Sequence, residues 1–180
     1  HASNRVEIIC ASILRNALAR ASGRDFDAAR RLVERAKERL PTFAECYRIG
    51  GVIELDAGET YRAVSEMEQA VSCDPRSGFV RYSFAQLFVH AKDHERALEQ
   101  TCHAIECDGE QPPLITLKAL CLTRLGRIDE AVPLYDELLT NLEGRPRRWR
   151  IATRDQAAEA HRRAVEAAMR RRDPAAAHEH

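Results

Sequence analysis

A short segment centred on alanine recurs along this chain of 180 residues at a fixed interval of 34 residues. Its four copies read RDFDAAR, GETYRAV, KDHERAL and GRIDEAV, and they align the alanines Ala29, Ala63, Ala97 and Ala131. A second column, seven residues further on, reads Ala36, Ala70, Ala104 and Leu138. A period of this length held over four copies is typical of stacked pairs of helices. We therefore expect the two helices of each pair to cross closely at the alanines.

The end of each copy carries a residue that stops a helix. Pro41, Pro75 and Gly109 share one column, and Pro146 directly follows the fourth position of that column. Proline cannot donate a backbone hydrogen bond and clashes with the preceding turn, so it ends the second helix of a pair. This punctuation predicts four units, which span residues 10–43, 44–77, 78–111 and 112–145.

These columns resemble the tetratricopeptide repeat family. The second unit matches the family pattern best, through Tyr47, Gly51, Ala63, Met67, Ala70 and Pro75. The resemblance covers residues 10–145. It implies an all-α fold, a right-handed solenoid of about four helix-turn-helix repeats within residues 1–145. In this family the first helix of every repeat, helix A, lines the concave surface.

The pattern changes after residue 145, where the sequence continues as RPRRWRIATRDQAAEAHRRAVEAAMRRR without a break. End repeats are atypical because they must cover an exposed apolar end. We therefore expect a capping amphipathic helix within residues 146–172, with Ile151, Ala158, Val165 and Met169 facing the last repeat. An incomplete fifth repeat and a dimerisation helix stay open as alternatives. Residues 173–180 read as a tail or tag.

Short polar residues indicate where several helices begin. Asp25 and Asp93 stand at the positions of N-caps for the second helices of units one and three. Thr42 and Glu45 have the spacing of a capping box, which predicts the start of the first helix of unit two.

No residue pattern indicates an enzyme. The pair Gly50-Gly51 lies within a predicted helix and no GK[ST] follows it, so it does not predict a phosphate-binding loop. The acidic residues are spread over the outer faces of helices, and no nucleophile is paired with a base. We predict no catalytic residues and no cofactor.

The six cysteines fit packing positions of the repeats better than a disulfide framework, which favours a reducing, cytoplasmic setting. His103 and Cys107 lie one helical turn apart and could begin a zinc site. Structural zinc needs four convergent ligands, however, and no CxxC pair accompanies them. We therefore predict no metal.

Charge is distributed unevenly, although the net charge is zero. Residues 1–144 carry 18 basic and 23 acidic side chains, whereas residues 145–172 carry ten arginines and three acidic residues. Such asymmetry can mark a nucleic-acid partner, but only Trp149 supplies an aromatic ring there, and we favour a basic helix that docks on an acidic body. No apolar run is long enough to span a membrane.

Function must then be read from the concave face implied by the resemblance. Relatives that grip a carboxylate use Lys and Asn at positions that this chain fills differently, and its positions are largely apolar. An exposed apolar patch usually marks a partner site. The predicted contact residues for a protein or peptide are Leu14, Arg48, Ile49, Val52, Leu55, Phe79, Tyr82, Gln86, Val89, Leu117, Leu120 and Arg124.

The sequence thus predicts a non-catalytic protein–protein interaction module that binds a helix or an extended peptide in an apolar groove. Two other functions stay open. The chain could be the sensor or regulatory arm of a larger multidomain enzyme or NTPase, or a small bacterial chaperone for a secreted apolar segment. The identity of the partner and the oligomeric state are left open, since a fold does not by itself imply either.

Overall fold

The computed structural model describes residues 2–140, 151, 154–163 and 166. Within these ranges it contains helices and no strand, which confirms the predicted all-α fold. Eight helices lie before residue 141: α1 (Ala2–Ser22), α2 (Phe26–Arg39), α3 (Ala44–Asp56), α4 (Thr60–Cys73), α5 (Gly78–His90), α6 (His94–Asp108), α7 (Pro112–Arg124) and α8 (Ile128–Thr140).

The period of the sequence is also the period of the helices. The second helices of the pairs, α2, α4, α6 and α8, begin at Phe26, Thr60, His94 and Ile128, which are 34 residues apart. The first helices α3, α5 and α7 begin with the same spacing. We call α1, α3, α5 and α7 the A helices and the others the B helices. The division into a repeat array, a capping helix and a tail stays a prediction, and residues 141–150 and 167–180 lie outside the described residues.

Small residues let the helices of a pair approach closely. Ala29, Ala63, Ala97 and Ala131 are all completely buried. In the second pair, a Cβ added to Gly51 would stand only 3.0 Å from Met67 Cγ. Side chains larger than alanine would have to push the helices apart, because protein interiors are already close-packed. This explains the alanine columns.

Every A helix ends in the same turn. Its key residue has a left-handed backbone, at Arg24 (φ 60°), Gly58 (φ 84°), Lys92 (φ 62°) and Gly126 (φ 76°). The next amide donates to a carbonyl five residues earlier, for example Asp93 N–H to Phe88 O at 2.9 Å. This bond satisfies a carbonyl that the helix end would otherwise leave free. The turn reverses the chain, so that helix B packs back on helix A.

The predicted N-caps are confirmed in two of three places. Asp25 accepts a hydrogen bond from Ala28 N–H and Asp93 accepts one from Arg96 N–H. The capping box at Thr42 was wrong, because α3 begins after Phe43 without a side-chain cap. Glu45 instead pairs with Arg48, whose Nη2 lies 2.6 Å from the carboxylate. Two charge-assisted hydrogen bonds to Arg48 thus engage the carboxylate that a capping box would use.

The core runs along the stack in three clusters of buried side chains. The first joins α1, α2 and α3, the second joins α3 to α7, and the third joins α7 and α8 to the residues 154–163. Each pair therefore shares its apolar surface with its neighbours, as in other solenoids. None of the described helices is long and apolar enough to cross a membrane.

The helical residues 154–163 pack on the last pair, but through a different face from the predicted one. Ala157 and Ala160 are buried against α7 and α8. Ile151 is 47% exposed and Ala158 is exposed, so these two predictions were wrong. The prediction followed the larger apolar side chains such as Ile151. The observed face carries alanines, because only small side chains let this helix approach the last pair closely. The predicted contacts of Val165 and Met169 lie outside the described residues.

Two polar contacts hold this segment in place. Arg163 Nη1 donates to the carbonyl oxygen of Thr123, near the C-terminus of α7, at 3.3 Å. His161 Nε2 lies 3.0 Å from Asp136 Oδ1 on α8. A cation near the C-terminus of a helix is favourable, because the helix dipole is negative there.

Candidate functional site

Half-exposed apolar side chains continue from one A helix to the next. Val52 and Leu55 lie on α3, Tyr82 and Val89 on α5, and Leu120 on α7. All of them pack against one core cluster that also includes Leu117, which is 8% exposed. We call these six residues the A-helix strip. Apolar side chains that are neither buried nor scattered singly are typical of an interaction site.

Of the residues predicted for the groove, Leu14 and Ile49 belong to the interior, and Leu117 is also a buried core residue. Leu14 and Ile49 are each 3% exposed and lie in the first core cluster. Leu14 packs between α1, α2 and α3, and Ile49 occupies the buried side of α3. They turn toward neighbouring helices of the stack, so they contribute packing and no contact surface.

An aromatic ring and a guanidinium stand beside the strip. Phe79 is 55% exposed, and the guanidinium carbon of Arg48 lies 4.8 Å above the centre of its ring. Two hydrogen bonds to Glu45, of 2.7 and 2.6 Å, fix the guanidinium in this position. Cation–π contact and ion pair together hold Phe79 at the surface. Glu45 neutralises the charge of Arg48. The contact between Arg48 and Phe79 therefore contributes more to the shape of the surface than to its charge.

The strip contains one polar pair that faces outward. Gln86 Nε2 donates to the hydroxyl oxygen of Tyr82 at 3.1 Å, and Gln86 is exposed. A tyrosine hydroxyl is protonated at neutral pH, and burial raises the pKa of Tyr82 further above its ordinary value. The Tyr82 proton and the Gln86 carbonyl oxygen make no other hydrogen bond with a described residue. They can bind polar groups of a ligand.

The other hydroxyls of α5 and α7 are turned back onto their own backbone. Ser83 donates to Phe79 O at 3.0 Å, Thr116 to Pro112 O at 2.7 Å, and Thr123 to Ala119 O at 2.8 Å. Each bond joins residues four apart in one helix, where the hydroxyl competes for a carbonyl that is already a helix acceptor. These hydroxyls are therefore satisfied without a ligand.

The last residues of α3, α5 and α7 are ionisable and lie along one edge of the strip. Asp56, His90 and Arg124 end α3, α5 and α7, and are 34 residues apart. All three are exposed, and none forms a hydrogen bond or an ion pair with another described residue. They form a row along the stack in which the side-chain charge changes from negative at Asp56 to positive at Arg124. We call it the rim row; of its members, only Arg124 was among the predicted contact residues.

A cleft between two B helices was not predicted. It has a volume of about 650 Å³ between α4 and α6, and Val64 and Phe88 form its apolar wall. The Arg96 guanidinium covers the Phe88 ring at 4.7 Å, and Tyr61 at its mouth is 95% exposed. A comparison of repeats could have found it, because Arg30 on α2 and Glu54 on α3 stand at the positions of Val64 on α4 and Phe88 on α5.

The cysteines show no sign of metal or redox chemistry. No described group of three His, Cys, Asp or Glu residues is arranged to hold a metal ion. All six cysteines are free, and burial raises the pKa of Cys46 to about 11 and that of Cys121 to about 12. Thiols with such values are protonated and poor nucleophiles. Cys46 and Cys121, like the buried Cys10, act here as small core residues.

No family model matches the sequence, and a search of curated proteins finds no match. Solved structures do share its fold. The chain is similar to the MamA protein at 18% identity and a TM-score of 0.62, over 95% of this chain and 96% of MamA. It is similar to YrrB, a TPR protein with an unusual peptide-binding site, at 18% identity and a TM-score of 0.59, over 87% of this chain and 90% of YrrB.

A third similar structure is a K341M mutant of the O-GlcNAc transferase of Thermobaculum terrenum, at 19% identity and a TM-score of 0.63. The likeness covers 76% of this chain, which spans only 27% of the transferase. Identities this low show the fold alone. The described helices and these likenesses together establish a helical-repeat solenoid of the tetratricopeptide type.

Proposed function

We propose that this chain is a non-catalytic protein–protein interaction module that binds a helical or extended peptide on the A-helix strip. The observation that carries this proposal is the strip itself, half-exposed and apolar on three successive A helices. A rigid scaffold that presents such a surface gains binding energy from its burial, at roughly 25 cal/mol per Å² of apolar area. YrrB, which shares the fold, is described as having an unusual peptide-binding site.

The chemistry of the described residues supports a binding role over a catalytic one. Charged side chains near the strip are either neutralised, as Arg48 is by Glu45, or stand singly on the rim row. No described nucleophile is held next to a base and an orienting group, which acyl or phosphoryl transfer would need. The side chains that do converge are apolar.

A second function is favoured by one specific likeness. The chain resembles part of the Thermobaculum terrenum transferase, of which it spans 27%. A regulatory arm of a larger enzyme would use the same strip to bind a substrate protein or another domain. Both functions therefore require the A-helix strip, and differ only in what the arm is attached to.

The proposal is tested by removing two aromatic side chains of α5, Tyr82 in the strip and Phe79 beside it. Tyr82→Ala and Phe79→Ala should each weaken partner binding roughly thirtyfold, since a hot-spot side chain is worth about 2 kcal/mol and about 1.4 kcal/mol corresponds to a factor of ten. The matched control is Tyr61→Ala, which removes an exposed tyrosine from α4, away from the strip.

The measurement compares proteins captured from the source cell by the wild type and the three variants, beside a thermal melt of each. Partners that are lost with Tyr82→Ala and Phe79→Ala, but kept with Tyr61→Ala, support the strip as the site. If all variants capture the same proteins, or if Tyr82→Ala and Phe79→Ala unfold early, the strip is part of the core and the proposed function is wrong.

A further inference from the structure

We infer that the occupant of the A-helix strip is an amphipathic α-helix, which lies with a basic N-terminal end beside Asp56 and an acidic C-terminal end beside Arg124. This inference rests on the proposed function and names the partner of the same site. Three observations carry it: the backbone needs of a ligand, the shape of the strip and the charges of the rim row.

An extended peptide would leave its own backbone unsatisfied on this surface. Each of its residues presents an N–H and a C=O group, and burying such a group without a partner is costly. Ser83, Thr116 and Thr123 are bonded to their own helices and cannot supply partners without breaking those bonds. Among the described residues, Tyr82 in the strip and its partner Gln86 keep free hydrogen-bonding capacity, and the rim row adds three side chains along one edge, which are too few and too far to one side to pair the whole backbone of an extended peptide. A helix satisfies its backbone internally and needs nothing more from the surface.

The strip matches the apolar face of a single helix. Its exposed side chains are aliphatic except for Tyr82, and they are supplied by three neighbouring helices. Axes of packed helices lie about 10 Å apart, so the strip from α3 to α7 is about 20 Å long. A helix rises 1.5 Å per residue, so about 13 residues, or nearly four turns, would cover it. Such a helix buries apolar residues spaced three and four apart.

The rim row gives the occupant a direction. Asp56 at one end attracts positive charge, and Arg124 at the other end attracts negative charge. A helix carries a partial positive charge at its N-terminus and a partial negative charge at its C-terminus. Its dipole therefore favours an N-terminus near α3 and a C-terminus near α7. Basic side chains in its first turn and acidic ones in its last would pair with Asp56 and Arg124, which are unpaired in the described residues, although such end charges oppose the occupant's own helix dipole.

Two displayed peptide libraries of about 16 residues test the inference on the full chain. One library keeps helix-forming residues and varies the apolar positions three and four apart. The other has the same apolar composition, with proline at every fourth position, which prevents a helix. Binders selected from each are measured in solution against the wild type and Tyr82→Ala. We expect the tightest binders from the helical library, at least tenfold above those from the proline library, and weakened by Tyr82→Ala.

The direction is tested with one selected helical peptide and its copy with exchanged end charges. Wild type should prefer the peptide with a basic N-terminal end roughly fivefold, as expected for single exposed charges near a helix end. The double variant Asp56→Arg with Arg124→Asp should reverse the preference. The matched control, Arg62→Asp with Glu68→Arg, exchanges two exposed charges on α4 and should keep it.

The outcomes separate this inference from the proposed function. If Tyr82-dependent binders come mainly from the proline library, the ligand is extended and the inference is wrong, while the proposed function stands. An unchanged preference in the Asp56 and Arg124 double variant overturns the direction. If neither library yields a binder that depends on Tyr82, the proposed function fails and the inference fails with it.

Discussion

The guanidinium of Arg30 on α2 binds the carboxylate of Glu54 on α3 through two hydrogen bonds, of 2.8 and 2.9 Å. This ion pair lies at the junction of the first two helix pairs, where Glu54 is 8% exposed and the Arg30 side chain is 29% exposed, so water reaches the guanidinium more than the carboxylate. The hydrogen bond to Glu54 raises the pKa of Arg30. The next junction has Val64 and Phe88 at the same two positions, where both belong to one apolar cluster, so an ion pair and apolar packing occupy equivalent places at neighbouring junctions.

This ion pair predicts that removing one partner lowers the free energy of unfolding more than replacing both partners by apolar residues. Arg30→Ala leaves the Glu54 carboxylate without its partner and should lower the free energy of unfolding by about 1–3 kcal/mol. The double variant Arg30→Val with Glu54→Phe copies the next junction and should regain most of that loss. Chemical denaturation of both variants measures the difference. A double variant no more stable than Arg30→Ala would contradict the equivalence of the two junctions.

The left-handed turns predict a pair of opposite effects. Lys92 adopts φ 62° where the neighbouring turns use glycine, and a side chain in this region is strained. Lys92→Gly should therefore stabilise the protein by about 0.5–1 kcal/mol. Gly58→Ala should destabilise it by about 1 kcal/mol, since its added Cβ has no neighbour within 4 Å and only backbone strain acts. Thermal melts that move both variants in the same direction would contradict this explanation.

The N-cap Asp93 predicts a pH dependence at the acid end. Its hydrogen bond from the Arg96 N–H, helped by the Arg96 guanidinium, holds the pKa of Asp93 below its usual value of 3.8. A lowered pKa stabilises the fold above the unfolded value, and this stability is lost as the pH falls through the folded value. The advantage of the wild type over Asp93→Asn should therefore be largest near neutral pH and shrink below about pH 4.

Unfolding by denaturant at several pH values measures this advantage directly. Asp93→Ala serves for comparison, because it removes the cap at every pH and should cost about 1 kcal/mol near neutrality. A stability difference between wild type and Asp93→Asn that stays constant with pH would show that the charge of Asp93 has no part in the cap.

The packing of residues 154–163 predicts different effects for two neighbouring alanines. Ala160 is completely buried against the last pair, so Ala160→Leu should overpack this contact and cost about 1–3 kcal/mol. Ala158 is exposed, and Ala158→Leu should change stability by less than about 0.5 kcal/mol. Melting curves and size-exclusion profiles of the two variants check this. If Ala158→Leu were the more damaging change, the face first expected from the sequence would be the packed one.

Sequence periodicity determined the fold of this protein, because the physical requirement repeats with it. Two helices can cross closely only over small side chains, so Ala29, Ala63, Ala97 and Ala131 had to recur at the spacing of the pairs. The N-caps Asp25 and Asp93 were equally readable, since a cap is a local contact between residues a few positions apart.

Contacts between residues far apart in the chain were decided by the tertiary structure. Leu14 and Ile49 look like groove residues in the repeat pattern, but their neighbours on other helices bury them. The terminal segment packs through Ala157 and Ala160, because close approach there matters more than side-chain size. Asp56, His90 and Arg124 are far apart in the chain, and they form one row only because stacking places the ends of three helices side by side. Hydrophobic periodicity specifies which faces are apolar, whereas stacking decides which of them stay exposed to a partner.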